Sequence, residues 1–206
     1  QVLSSAASDV YKRQLYYKDK RDINSIDFGR HIPGITMVNE MMTEGDTTLI
    51  PWLVGDEWKK IPKIKSKYIF GHFELPNFYM NAMVQMPDTG ELQADHFKNQ
   101  EYVFSGHFHK RQVKGPVHYI GNALPHNYAD AWDDERGMMI LEHGGEPQYI
   151  NWWNCPKYRT VKLSRLLDEK DTLIKSKMYL RVTLDLPISY EEANFIKETF
   201  MKDYDC

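Results

Sequence analysis

The sequence predicts a layered α/β fold of the α+β kind, in which a sheet carries helices on its faces. Six short β-rich runs, each bounded by Gly, Pro, Asn or Asp, cover residues 48–53, 67–73, 101–108, 117–120, 137–141 and 148–152. Residues 76–100 separate the second run from the third and are long enough for a helix and a loop. After Pro156 the pattern changes again, to helix-spaced leucines followed by alternation.

The last part of the chain predicts a β-then-α order. Residues 164–177 are charged, with leucines and an isoleucine at helical spacing, and residues 179–186 alternate like a strand. Glu192 follows Ser189 by three positions, which is the spacing of a capping box and predicts a helix to about Met201. We interpret this order as the start of a second domain.

Composition indicates a packed protein and excludes a bulk attraction to polyanions. Hydrophobic residues make up 42% of the chain and aromatic residues 13%, which is typical of a buried core. The net charge of −3 means that nucleic-acid binding would need a local basic surface. Three basic clusters exist: Lys59, Lys60, Lys63, Lys65 and Lys67; Lys110, Arg111 and Lys114; and Lys157, Arg159, Lys162 and Arg165.

Cysteine content and hydropathy predict a cytoplasmic protein that does not contact a membrane. The two cysteines, Cys155 and Cys206, are far apart in sequence, which excludes a disulfide framework and a cysteine zinc site. No apolar run approaches the length that crosses a bilayer. The first residues also lack the charged-then-apolar order of a secretory signal.

The first fourteen residues, QVLSSAASDVYKRQ, share neither periodicity nor composition with the rest of the chain. They resemble a translated adapter sequence, so we interpret residues 1–14 as a non-native leader and expect native sequence from Leu15.

Three histidines predict a metal site. Two β-rich runs end in the same way, in Gly71-His72 and in Gly106-His107, and ligands of layered α/β folds bind beyond the carboxyl ends of strands. His109 follows His107 by two residues, so in an extended segment both imidazoles would share a face. Neutral imidazole is a good ligand for Mn, Fe or Zn. Four other histidines, His31, His96, His118 and His143, are interpreted as core or surface residues.

Two other classes with a His-x-His motif fit less well. A cupin would have a glutamate a few residues after the second histidine, and residues 110–113 contain none. An amidohydrolase barrel has His-x-His on its first strand, and fewer than a hundred residues follow His109.

Three segments carry a resemblance to a known family. GHFEL at residues 71–75, SGHFH at 105–109 and YIGNA at 119–123 resemble, in order and spacing, the later motifs of calcineurin-like metallophosphoesterases. More narrowly they resemble the SbcD-type nuclease subunit of recombination complexes, in the version of T-even-like phages. LIPWL at residues 49–53 and DERG at 134–137 are similar too, and the resemblance covers residues 15–154.

The resemblance implies a fold and a domain division. Residues 15–158 would form the C-terminal portion of a metallophosphoesterase β-sandwich flanked by helices. Residues 159–206 would begin a small, incomplete α/β capping domain, which contacts DNA in the family.

The same resemblance implies a cofactor and partners. Two divalent metal ions, Mn above all, with Mg, Fe or Zn as alternatives, would be bound by His72 and His107 on one ion and by His109 on the other. The implied partners are DNA, an SbcC-like coiled-coil ATPase subunit and a second copy of the nuclease subunit, in the cytoplasm of a bacterium or a phage-infected bacterium.

Residues beside the histidines are candidates for substrate binding. Lys110, Arg111 and Asn122 lie next to the predicted site and could hold substrate phosphates, since phosphate contacts position a nucleic acid without reading its sequence. Ordinary turn chemistry is the alternative interpretation of these positions.

The sequence lacks three motifs that the family carries early in the chain. The early D-x-H, G-D-x-x-D and G-N-H-D motifs are absent, so no catalytic residue is assigned and the general-acid histidine is expected upstream of Leu15. Gly45-Asp46 and Gly55-Asp56 lack the second aspartate and are interpreted as turns. We therefore expect a fragment that is inactive by itself. A phosphoesterase for small phosphoesters or phosphoproteins, and an inactive scaffold, remain alternatives.

Overall fold

The computed structural model describes residues 27–204, which fall into two compact units that meet in sequence at Ala123 and Leu124. The interpretation of residues 1–14 as a leader concerns residues outside this described part. The predicted domain boundary between residues 158 and 159 stays a prediction.

A six-stranded sheet forms the first unit, in the order β1-β2-β3-β4-β6-β5. Its strands are β1 (Met42–Glu44), β2 (Thr47–Leu49), β3 (Tyr68–Gly71), β4 (Tyr102–Ser105), β5 (Gln112–Lys114) and β6 (Val117–Tyr119). The inner strands β2, β3, β4 and β6 are mutually parallel, whereas β1 and β5 pair antiparallel at the edges. Parallel strands end at the same edge of a sheet, so four carboxyl ends lie side by side.

The central strands form because their residues are buried on both faces of the sheet. Ile69 of β3 pairs with Val103 of β4, and both are fully buried in the main hydrophobic cluster. Phe70 and Phe104, one position further along each strand, stack on the opposite face with ring centroids 5.2 Å apart. A one-residue shift would exchange these faces, so the apolar pattern fixes the register.

The helix expected within residues 76–100 is wrong. This stretch contains a single 3₁₀ turn, Ala94–Phe97, and an isolated antiparallel bridge between Tyr79 and Gln85. Pro76 and Pro87 interrupt a helical pattern, and the Asn81 side chain accepts hydrogen bonds from the backbone of its own turn. Local side-chain bonding therefore replaces the helix.

The second unit contains two small sheets and two α-helices. β7 (Gly137–Ile140) pairs antiparallel with β8 (Gln148–Asn151), and β9 (Lys157–Lys162) pairs parallel with β10 (Met178–Thr183). Helix α1 (Leu163–Leu173) follows β9, and helix α2 (Tyr190–Tyr204) follows β10. A small cluster of Val161, Leu166 and Ile174 forms the core. These elements confirm the predicted α/β class.

Helix α2 begins where the sequence predicts. The Ser189 N–H donates to Glu192 Oε2 at 2.8 Å, and the Glu192 N–H donates to Ser189 Oγ at 3.2 Å, which completes the capping box. No residue of α2 is buried. Within residues 27–204, no helix combines the length and the apolar character needed to cross a membrane.

Three strands, β1, β5 and β9, were not predicted from the sequence. The edge strands β1 and β5 have three residues each and lack an apolar alternation. Their pairing depends on the neighbouring strand and not on their own sequence. The predicted turn at Gly45 is confirmed, because Gly45 and Asp46 join β1 to β2 and Gly45 has a φ of 59°. The turn predicted at Gly55 is wrong, because Gly55 and Asp56 begin a 3₁₀ helix, Gly55–Lys63.

Candidate functional site

The four parallel strand ends bring together side chains from distant parts of the sequence. Trp52 follows β2, His72 follows β3 directly, His107 follows β4, and Asn122 follows β6. The prediction that both Gly-His pairs stand at strand ends is confirmed, and the structure shows that the two strands are adjacent and parallel. Such a row of strand ends is where ligands bind in open α/β sheets.

His72, His107 and Glu74 form a hydrogen-bonded chain. His107 Nδ1 lies 3.1 Å from His72 Nε2, and His107 Nε2 lies 2.9 Å from Glu74 Oε1. His107 is 6% exposed, so little water competes for these bonds. A carboxylate accepts only, so Nε2 carries the proton and Nδ1 directs its lone pair toward His72. Metal-binding imidazoles are commonly oriented by a carboxylate in this way.

The backbone at His107 is left-handed, with a φ of 80°. Residues with a Cβ adopt this region rarely, and the cost is of the order of 1–3 kcal/mol, so the surrounding contacts hold the residue there. The chain after Ser105 is therefore not extended, and the alternation expected to put His107 and His109 on one face does not apply. His107 contacts His72 while its own backbone has this left-handed conformation.

His109 is fixed by its backbone. Its N–H donates to the Met80 carbonyl at 2.7 Å, and its carbonyl accepts from the Asn122 N–H at 3.0 Å. Across residues 27–204, no group of three or more His, Cys, Asp or Glu side chains is placed to hold one metal ion. The structure thus brings His72 and His107 together without adding His109 to the same group. Assignment of His109 to a second ion stays a prediction.

Lys110 and Arg111 lie immediately beyond His109. The Lys110 ammonium is 5.0 Å from the centre of the Tyr79 ring, a cation–π contact. Arg111 Nε donates to the Ile120 carbonyl at 3.4 Å, which ties this turn to the end of β6. Both positively charged groups thus border the row of strand ends.

Asn122 is almost fully buried, at 1% exposure, and neither amide atom of its side chain has a hydrogen-bond partner among the described residues. The neighbouring Gly121 has a φ of 78°, and a Cβ there would lie 2.8 Å from Arg111 N and 2.9 Å from His109 O. Glycine is therefore required for this close approach. A buried amide normally finds a partner, which makes Asn122 a candidate for binding a polar ligand.

Two buried hydroxyl groups position the β3 end and were missed from sequence. Tyr119 Oη donates to the Phe73 carbonyl at 2.9 Å and accepts from the Leu75 N–H at 3.1 Å. Ser105 Oγ accepts from the Phe73 N–H at 2.9 Å. Burial raises the pKa of the Tyr119 phenol, so it stays a donor at neutral pH. These bonds bracket Glu74 from both sides along the chain.

Trp52 and Glu74 were also missed as site residues. The Trp52 ring centre lies 5.9 Å from that of His72 and 5.5 Å from that of His107, so the indole packs beside both imidazoles. Each belongs to a segment singled out in the sequence, LIPWL and GHFEL. Their roles depend on side-chain contacts between different strands, which sequence spacing does not give.

The spacing of the two imidazoles suits a metal ion. Metal–nitrogen bonds of about 2.0–2.1 Å, opened by roughly 90–110°, place two ligand nitrogens about 3.0–3.4 Å apart. The His72 and His107 nitrogens, 3.1 Å apart, fall within this range. The two residues could therefore serve as two ligands of one ion if the ion displaced the proton shared by these nitrogens, with Glu74 behind His107.

Comparison with known proteins gives one partial similarity and no family. No family model matches the chain. The chain is similar to Exonuclease subunit 1 of Enterobacteria phage T4, with 30% identity over 98 residues. The match covers 46% of this chain and 28% of that protein, so the chain spans well under two thirds of its relative. The similarity supports a nuclease-related family.

Proposed function

We propose that this chain contributes one side of the metal site of a DNA nuclease that hydrolyses phosphodiester bonds. The observation that carries the proposal is the His72–His107–Glu74 chain at the ends of β3 and β4, where a carboxylate orients one of two imidazoles 3.1 Å apart. The similarity to an exonuclease subunit supports the same reaction class.

In the proposed site His72 and His107 bind one divalent ion, and His109 binds a second. When bound, such ions would supply an activated water and stabilise the leaving oxygen of a phosphodiester. Glu74 keeps the proton on His107 Nε2, so that Nδ1 remains a ligand. Trp52 covers both imidazoles on one side and limits access of water.

Lys110, Arg111 and Asn122 are proposed to hold substrate phosphates. Both charged groups follow His109 directly in sequence, and the Asn122 backbone is bonded to the His109 carbonyl. Phosphate contacts of this kind fix the register of a nucleic acid without selecting its sequence. Binding should therefore weaken with salt and depend little on sequence.

We also propose which metal the site binds, which subunits the chain assembles with and where it acts. We propose Mn as the working metal on the resemblance to the nuclease family, with Mg, Fe or Zn as alternatives; imidazole ligands by themselves suit Fe or Zn. The similar phage protein is named as a subunit, which supports a partner subunit. We propose a coiled-coil ATPase of the SbcC kind and a second copy of the nuclease as partners, in the cytoplasm.

The proposal is tested by titrating the chain with Mn²⁺ in a calorimeter and by incubating it with labelled DNA. The early metal motifs are absent from the sequence, so we expect weak Mn²⁺ binding without cleavage. His72→Ala and His107→Ala should abolish the binding. His31→Ala is the matched control, because that histidine is exposed and stands far from the strand ends in sequence.

Mn²⁺ binding that is unchanged in both site variants, or absent from the unmodified chain, contradicts the assignment. Mn²⁺-dependent DNA cleavage that survives His72→Ala and His107→Ala would place the active site elsewhere.

A further inference from the structure

A rigid hairpin at residues 77–86 stands on the rim of the candidate site. Its two arms are joined by hydrogen bonds from the Asn77 N–H to the Met86 carbonyl at 2.9 Å and from the Met80 N–H to the Val84 carbonyl at 2.7 Å. At the turn, Asn81 Oδ1 accepts from the backbone N–H groups of the two tip residues, 83 and 84, at 2.8 and 3.0 Å. The turn thus has a defined shape without a hydrophobic core of its own.

The hairpin is attached directly to the candidate site. The Met80 carbonyl accepts from the His109 N–H at 2.7 Å. The Gln112 side chain bonds both backbone groups of Tyr79, donating to its carbonyl at 2.6 Å and accepting from its N–H at 2.8 Å. Lys114 Nζ donates to the Asn77 carbonyl at 2.5 Å. Strand β5 and the His109 turn therefore fix where the hairpin points.

The tip of the hairpin is apolar and exposed, with Met83 73% and Val84 49% accessible. Two ammonium groups flank its base, with Lys110 Nζ 5.0 Å from the Tyr79 ring centre and Lys114 Nζ 4.9 Å from the Phe78 ring centre. An exposed apolar tip on a hydrogen-bonded support, beside two ammonium groups, is a candidate interaction site.

We propose that this hairpin contacts the end of a DNA strand, with Met83 and Val84 packing against a terminal base that leaves its stack. Apolar side chains, methionine among them, act as wedges against bases in other DNA-binding proteins. The lysines at the base of the hairpin hold the adjoining phosphates. The inference rests on the proposed nuclease function and extends it, because it gives the substrate a frayed strand end rather than an intact duplex interior.

Charge favours DNA over a protein as the occupant of the tip. A purely apolar protein surface on the tip would leave the two ammonium groups at its base without a counter-charge. A nucleic acid offers a base for the tip and phosphates for Lys110 and Lys114 in a single strand. The backbone bond between Met80 and His109 brings that strand to the candidate site.

The test uses a DNA duplex that carries 2-aminopurine at its terminal position, whose fluorescence rises when the base unstacks. The full chain is added in EDTA, so the result does not depend on metal binding or hydrolysis. We expect a fluorescence rise with the unmodified chain and its loss with the Met83→Gln, Val84→Thr double variant. Met138→Gln is the matched control, because that methionine is 41% exposed on β7 of the second unit.

A second measurement follows affinity against salt. Lys114→Gln should lower the slope of log affinity against log salt by roughly one, as expected for one lost phosphate contact. Circular dichroism of all variants confirms that they are folded.

A duplex that binds without a fluorescence rise overturns the proposal, as does a rise that is equal in the double variant. Either result leaves the Mn²⁺ titration, and with it the nuclease proposal, unaffected. The proposal would also be overturned if the tip bound a protein and the DNA duplex did not compete with that protein.

Discussion

The end of strand β3 and the start of helix α2 are held in opposite ways. The β3 end, Gly71 to Leu75, depends on Tyr119 and Ser105, which come from other strands. Helix α2 depends on a capping box between Ser189 and Glu192 in its own first turn, and it buries none of its residues. The geometry of the β3 end therefore comes from long-range contacts, whereas the start of α2 is held by a local capping box. Further along α2, Phe200 and Tyr204 pack against the small core, and Tyr204 Oη donates to Asp171 Oδ1 at 2.8 Å.

Among these predictions, substitution of Glu74, the carboxylate bonded to His107, should have the largest effect, which is on metal affinity. Loss of an outer-shell partner typically weakens metal binding about 10- to 100-fold, so we expect Glu74→Ala to lower Mn²⁺ affinity by that factor. Glu74→Gln should retain most of the affinity, because its carbonyl oxygen can still accept from His107 Nε2–H. Glu142→Ala, a glutamate of the second unit, is the control. Calorimetric titration measures all three, and equal affinities would show that Glu74 does not orient the ring.

Removing the Tyr119 hydroxyl, which hydrogen-bonds the β3 end, should destabilise the first unit. Tyr119→Phe leaves the Phe73 carbonyl and the Leu75 N–H buried without their phenol partner, which costs about 1–3 kcal/mol of unfolding free energy. Tyr190→Phe changes an exposed ring and should alter stability by less than about 0.5 kcal/mol. Urea unfolding compares the two variants. Equal stabilities would mean that these long-range bonds do not hold the β3 end.

The same tyrosine predicts a dependence on alkaline pH. Burial raises the pKa of Tyr119 in the folded state above its ordinary value of about 10. The folded state therefore holds the proton more tightly, and this contribution to stability is complete below about pH 10 and falls as pH rises further, by up to about 1.4 kcal/mol per unit. Tyr119→Phe should show a shallower loss above that pH in urea unfolding. Parallel curves for both proteins would contradict the prediction.

The smallest effect on stability is expected from a change in the capping box of α2, in the second unit. Ser189→Ala removes the capping acceptor of α2 and should cost about 1 kcal/mol. Ser189→Asp should retain the cap and the stability. Loss of helical circular dichroism on mild heating is the measurement. A cost well above about 2 kcal/mol, the upper end for loss of an N-cap, would mean that Ser189 does more than cap α2.

Local signals are what the sequence could predict. The capping box at Ser189 and the apolar runs that end in Gly71-His72 and Gly106-His107 depend on residues close together in sequence, and the structure contains both. The α/β class came from the same runs.

Long-range contacts are what the sequence could not predict. The Tyr119 hydroxyl bonds Leu75, 44 positions away, and His107, in its left-handed turn, contacts His72, 35 positions away, and Glu74. The helix expected within residues 76–100 is replaced through the local bonding of Asn81, and the hairpin that forms there is attached to Gln112 and Lys114, on a strand that was itself missed.

Shared binding of one metal ion by His72 and His107 can be detected by pulsed electron paramagnetic resonance. The chain is labelled with ¹⁵N-histidine and loaded with Mn²⁺, and the coupling of ¹⁵N to the metal is recorded. We expect directly bound imidazole nitrogen, with a signal that is reduced in His72→Ala and in His107→Ala and unchanged in His31→Ala. A Mn²⁺ spectrum without ¹⁵N coupling, or one that neither site variant alters, would show that these two histidines do not bind the ion.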